Sequence, residues 1–197
     1  MDVHRIEVGI STSGNTKNAI IQDLGIKEIE KLEIINVYTL EGGDLTAEQL
    51  QFLGKEVFSD PIVEEFKVDS PLSAKFNGSI IEIGFKPGVT DNVGNTAVQA
   101  IEDAIKKTLT AVYSTKQYLL YGISLEKAEI IARDLLANGL IERWQIQDGN
   151  TYKGFEPYIP KVILNQKLEV REINLNVSDA ELIDRKSTRL NSSHRIR

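Results

Sequence analysis

The 197-residue sequence contains no cysteine, one methionine, one tryptophan and two histidines. Without cysteine there is neither a disulfide framework nor a thiolate metal site. Imidazole chemistry is almost as restricted, because His194 lies in the final residues and His4 sits beside a strand pattern with no evident ligand partner. Long apolar runs are missing too: no stretch approaches the roughly 20 continuous apolar residues that a membrane helix needs. The opening Met1-Asp2-Val3-His4-Arg5 leads straight into an alternating strand pattern and not into a secretory leader. A cytoplasmic protein with no membrane partner is therefore expected. Positive charge is scarce, with 23 Lys and Arg against 29 Asp and Glu and a formal charge of -6. That balance argues against nucleic acid as a partner, since such binding draws on basic side chains that displace counterions.

What is present is a globular composition, 41% apolar and 26% charged, sufficient for one domain or two small ones. The last segment stands apart. From Asp184 to His194 the residues DRKSTRLNSSH resemble, codon by codon, one frame of a common short-read sequencing adapter, so 184–197 is read as an adapter-derived, disordered tail and set aside from fold reasoning. Removing it takes away five basic residues and one acidic residue, leaving 18 basic against 28 acidic and a net charge of -10. The natural product is expected to continue beyond Ile183.

Two segments repeat each other, and repetition constrains architecture more than local propensity does. Arg5 to Ile10 (RIEVGI) parallels Ile80 to Phe85 (IIEIGF) at an offset of 75, and Val37-Tyr38-Thr39 parallels Val112-Tyr113-Ser114 at the same offset. Ile62 to Val68 parallels Leu140 to Ile146 at an offset of 78. Within each half the hydrophobic period alternates between two and 3.6, which reads as strand, helix, strand, helix, strand. In the second half Ile81, Ile83 and Phe85 alternate on one strand face, Pro87-Gly88 breaks the strand and Asp91 is an N-cap candidate. Ala97, Ile101, Ala104 and Ile105 then form a stripe opposite Glu102, Asp103, Lys106 and Lys107. Ala111 to Tyr121 is β-rich, Ser124 caps a second helix that Asn138-Gly139 ends, and Ile141 to Ile146 closes the unit.

The first half follows the same plan, with a shorter first helix stopping near Gly25. Thr46 and Gln49 are spaced as a capping box, and Asp60-Pro61 ends that helix. Each half alone is too small to bury an ample core, and Tyr38, Tyr113, Tyr118 and Tyr121 lie in strands that are apolar on both faces. The expectation is that helices cover one side of each three-stranded sheet and the other sides of the two sheets meet. Asn150 to Pro160 reads as an extended connection, Lys161 to Leu164 as a further strand and Glu169 to Ile183 as a linker.

Glu82 to Ala97 (EIGFKPGVTDNVGNTA) together with Leu135 to Glu142 (LLANGLIE) resembles the small structural subunit of phosphoribosylformylglycinamidine synthase, PurS. The chain before Asp184 further resembles the amino-terminal region of the long form of that synthase, in which two such units are joined covalently. Val177 to Ile183 is similar to the start of the linker to its catalytic domain. The resemblance implies an α+β fold: a tandem pair of PurS-like βαβαβ units packed as a pseudo-dimer, plus a C-terminal linker. The divisions are 1–75, 76–150 and 151–183, followed by the tail. It implies a structural region of an enzyme of purine biosynthesis that amidates formylglycinamide ribonucleotide with ATP and glutamine. ATP and magnesium would belong to later domains of the parent. The partners would be those downstream synthase domains and a glutaminase, fused or separate. In the first half Ser11-Thr12-Ser13-Gly14 stands where the second has Lys86-Pro87-Gly88, so the family's turn occurs once.

No catalytic, cofactor-binding or metal-binding residue is assigned. The loop from Gly84 to Thr96 has neither phosphate-loop spacing nor a favourable charge at Asp91, and a turn plus helix entry explains it, with Gly94 allowing close backbone packing. Glu64-Glu65 and Glu102-Asp103 are adjacent in sequence and cannot face each other, so they read as solvated surface. Ser and Thr are plentiful but lack an evident base. Phe66 and Trp144 fall at equivalent places in the repeat, which favours packing over base stacking. A different class of function stays open: a free-standing regulatory module of ferredoxin-like type that binds a small metabolite between its repeats.

Overall fold

Strand Val3–Thr12 (β1) is followed by helix Gly14–Asp23 (α1), strand Leu32–Glu41 (β2), helix Ala47–Leu53 (α2) and strand Phe66–Val68 (β3). The order then repeats as Gly78–Phe85 (β4), Asn92–Ile105 (α3), Ala111–Tyr121 (β5), Leu125–Ile131 (α4) and Glu142–Asp148 (β6) in the computed structural model, which describes residues 2–161 and Ser178. Residues 162 to 183, apart from Ser178, and the tail lie outside the described residues, so the linker and most of the proposed strand at 161–164 do too; Lys161 itself is in no strand.

Local chemistry sets the helix ends as the sequence suggests. Thr46 and Gln49 form the reciprocal capping box, and Ser124 and Asp91 accept from the backbone of Lys127 and Gly94. Helices α2 and α4 each run on into one wider, π-helical turn, Gly54–Phe58 and Ala132–Leu136. The chain leaves both wide turns in the same way. Ile62 N–H donates to Asp60 Oδ1 at 2.9 Å and Leu140 N–H to Asn138 Oδ1 at 3.1 Å, while Asp60 N–H and Asn138 N–H donate to Glu64 and Glu142.

The six strands form one antiparallel sheet in the order β3-β1-β2-β5-β4-β6. The halves join at its centre, where β2 and β5 pair from Leu32 opposite Leu120 to Glu41 opposite Ala111. This corrects the expectation that two separate sheets meet through their faces. The ten-residue edges of β2 and β5 satisfy each other's backbone groups, so the two three-stranded pieces lie side by side.

The register also corrects one offset. Ile6 sits opposite Tyr38, and Ile81 opposite Tyr118, so β1 and β4 differ by 75 positions but β2 and β5 by 80 (118 minus 38). Tyr38 therefore corresponds to Tyr118 and not to Tyr113. An odd error of this kind turns a side chain to the wrong face of the sheet.

All four helices lie on one face, over two cores that each draw on both halves. One joins Ile20 of α1 to Ile131 of α4 with Leu32, Ile81 and Leu120 beneath them; the other joins Leu53 of α2 to Ile101 of α3 over Ile6, Leu40 and Val112. The apolar residues on the opposite face, Ile35, Val37, Ile80 and Leu119, pack against Leu72, Tyr152 and Phe155. Thus the strands are apolar on both sides, but the second side is covered by the Pro71–Phe76 loop and by a strap formed from residues 149–161. Burying each such aliphatic or aromatic side chain contributes about 1.5–3 kcal/mol.

Candidate functional site

At the middle of the strap-covered face the apolar pattern is broken by Arg5, Glu7, Glu82 and Gln117, all buried. Neighbouring strands place them together, since β1 and β2, β2 and β5, and β5 and β4 are successive in the sheet. Arg5 Nε donates to Glu7 Oε1 at 3.0 Å, and its terminal nitrogens reach the Glu82 carboxylate. Gln117 Nε2 lies 3.2 Å from Glu7 Oε1, 3.0 Å from Glu82 Oε2 and 2.9 Å from the Tyr152 hydroxyl. The remaining Glu7 oxygen accepts from Leu72 N–H at 2.7 Å. One cation thus serves two carboxylates, and an amide with two protons faces three oxygens.

Burial alone would lower the pKa of Arg5, but the Glu82 and Glu7 carboxylates raise it above its ordinary value. Burial foremost, aided by Glu7, pushes the Tyr152 hydroxyl well above its usual range against the opposing effects of Arg5 and Gln117. These hydrogen bonds tie the strap to β5 through Tyr152 and the Pro71–Phe76 loop to β1 through the Leu72 N–H.

Two peripheral pairs frame this centre. The Tyr113 hydroxyl donates to Glu41 Oε2 at 3.1 Å, and the Tyr121 hydroxyl donates to Glu33 Oε2 at 2.6 Å. With the offset of 80 each pair is the image of the other: Glu33 corresponds to Tyr113 and Glu41 to Tyr121. Burial first, and then the carboxylate partner, pushes both phenols up to about 12.

The residues singled out in the sequence are dispersed. Asp91 caps α3, with Oδ1 accepting from Gly94 N–H at 2.7 Å, and also holds Ser114 through its N–H at 2.6 Å and hydroxyl at 2.9 Å. Ser114 therefore does meet a carboxylate, which also receives the Gly94 and Ser114 N–H groups. Gly94 is packed so closely that a β-carbon would collide with the Val112 carbonyl oxygen. Lys86 reaches the Gly139 carbonyl and not a ligand-facing position.

His4 has partners that the sequence did not suggest, Asp2 at 3.0 Å and Asp69 at 2.7 Å. Among the described residues, no group of three or more His, Asp or Glu side chains is placed to hold a metal ion. Glu64 braces the turn at Asp60, and Glu102 accepts from Thr108. Phe66 and Trp144 pack into the two helix-side cores, Trp144 also donating to Glu129.

The central network was missed in the sequence, although it left a signal: Glu7 and Glu82 recur at the same place in the repeat, each between two apolar residues. Among the described residues no helix is long and apolar enough to cross a membrane. The chain matches no protein-family model and none of the curated proteins compared with it.

Proposed function

We propose that this chain is the structural, amino-terminal region of a cytoplasmic phosphoribosylformylglycinamidine synthase, a PurS-like tandem pseudo-dimer that scaffolds the synthase domains and a glutaminase. The observation that carries the reading is the junction of two βαβαβ units through β2 and β5, with caps, wide helical turns and turn hydrogen bonds made twice. The residues quoted for the resemblance form the turn, the Asp91-capped helix and the close of α4, all on the frame of the second unit. The best-organised polar cluster is buried, with one guanidinium shared by two carboxylates, which suits a support better than a reaction centre. ATP and magnesium are assigned to domains downstream.

The test begins with the genomic reading frame beyond the codon for Ile183, which should encode ATP-binding and amidating domains. In that parent, deleting residues 1–161 should abolish glutamine-dependent amidation while ammonia-dependent turnover survives. An early natural stop, or undiminished glutamine-dependent turnover after the deletion, would reject the proposal.

A further inference from the structure

We infer that the helix-covered face of the sheet holds, on the axis relating the two halves, a site for a small organic monocarboxylate. With the offset of 80, Asn36 of β2 corresponds to Lys116 of β5 (116 minus 36), and the register places these two residues directly opposite each other. The pseudo-two-fold axis therefore passes between them. Leu32 and Leu40 on β2, and Val112 and Leu120 on β5, belong to the helix-side cores, so alternation turns Asn36, Tyr38, Lys116 and Tyr118 to that face too. Tyr118 packs at the margin of the core under α1 and α4, and Tyr38 at the margin of the core under α2 and α3. Between those margins is a cavity of about 280 Å³, lined by all four residues.

The polar groups of this cavity differ from those across the sheet. On the strap face Gln117 Nε2 and the hydroxyls of Tyr113 and Tyr121 are hydrogen-bonded. On the helix face the Asn36 amide, the Lys116 ammonium and the hydroxyls of Tyr38 and Tyr118 have neither a hydrogen bond nor an ion pair among the described residues. Lys116 is exposed and the other three are half-buried. An exposed lysine at the centre of a six-stranded sheet, on its helix-covered side, marks the place where that cover is open.

An ammonium, an amide and two hydroxyls favour a ligand rich in acceptors. Burial foremost, and then Glu142, pushes the Tyr118 phenol above its ordinary pKa; burial, and then Glu64 and Asp91, does the same for Tyr38, so both keep the proton they would donate. Glu142 is the other charged side chain of the lining, and its Oε2 accepts from Asn138 N–H at 2.7 Å. The register sets it two strands away from Lys116, because Lys116 is opposite Ile83 on β4 whereas Glu142 pairs with Phe85 from β6. A negative charge there opposes a second one on the ligand, which favours a monocarboxylate over a phosphate dianion. Val93, 54% exposed, and Leu136 supply an apolar wall for the body of the ligand.

The site needs only the two halves, so its failure would leave the scaffold proposal standing, and the reverse holds as well. The full chain is titrated with benzoate, benzamide and phenyl phosphate, with binding read by calorimetry and by the Lys116 side-chain resonances. Saturable binding of benzoate with a shifted Lys116 signal is expected, and weaker binding of the other two. Lys116→Met should weaken benzoate binding about ten-fold or more and Tyr118→Phe about three-fold, with the melting temperature of Lys116→Met retained. Lys127→Met, which removes an exposed cation paired with Glu28 elsewhere, should leave the affinity unchanged. Lack of saturation by benzoate, an unmoved Lys116 signal, undiminished affinity in Lys116→Met, or an equal loss in Lys127→Met would overturn the inference. Benzamide binding as tightly as benzoate would overturn the role of charge, and phenyl phosphate binding more tightly than benzoate would overturn the choice of a monocarboxylate.

Discussion

The two halves share a plan but enter their first helices differently. In the first, β1 passes a bulge at Gly9, where φ is +71°, and continues to Thr12, directly before the Ser13 cap. In the second, β4 leaves the sheet at Phe85 and a five-residue turn precedes the Asp91 cap. The longer α3 then presses Gly94 onto β5, while the position 78 residues earlier is Thr16, whose hydroxyl merely bonds to Ser13 at 2.7 Å. The centre is asymmetric as well: Glu7 and Glu82 correspond, yet Arg5 corresponds to Ile80 and Gln117 to Val37. Repeated features form the frame, and departures from the repeat place the buried charges.

The largest expected effect comes from removing the shared cation. Arg5→Met leaves two buried carboxylates without their counter-charge and should lower stability by about 3–5 kcal/mol in urea unfolding. Adding Glu7→Gln and Glu82→Gln should restore most of that loss; if it does not, the network is not electrostatically coupled in the way described.

Next, Gly94→Ala should cost about 1–3 kcal/mol because the new methyl meets backbone oxygen, whereas Thr16→Ala should stay within about 0.5 kcal/mol of wild type. Equal costs would erase this distinction between the halves. Where the halves agree, equal effects are expected: Thr46→Ala and Ser124→Ala should each remove about 1 kcal/mol in thermal unfolding.

The smallest effects concern the mirrored phenols. Tyr113→Phe and Tyr121→Phe should each lower stability by about 0.5–1.5 kcal/mol. Because the folded pKa of each phenol is raised from 10.0 to about 12, its proton-linked stabilisation is complete below pH 10 and is lost as pH rises toward 12. Each substitution should therefore flatten the decline in stability across that alkaline window, and a decline unchanged in both variants would contradict the pairing.

Much of the frame was legible because it is written locally. Hydrophobic period, the caps at Thr46, Asp91 and Ser124, and the punctuation at Asp60-Pro61 and Asn138-Gly139 each act within a few residues. The joining of the halves was not, since apolar residues on both faces of a strand say that both are covered and not by what. Tyr152 and Phe155, in a stretch read simply as extended, supply much of that cover. The matching Val-Tyr dipeptides misled because short identities do not encode register, which the cross-strand partners decide. Glu7 and Glu82 were visible as repeated charges in apolar strands, but Gln117 and Tyr152 join them only through long-range pairing.

Native-state hydrogen exchange across β2 and β5 tests most directly whether the halves are one cooperative sheet. The amides bonded between Leu32–Glu41 and Ala111–Tyr121 should share the highest protection and exchange only with global unfolding. Exchange of one half at distinctly lower free energy, with the β2–β5 amides released while the other half stays protected, would contradict it.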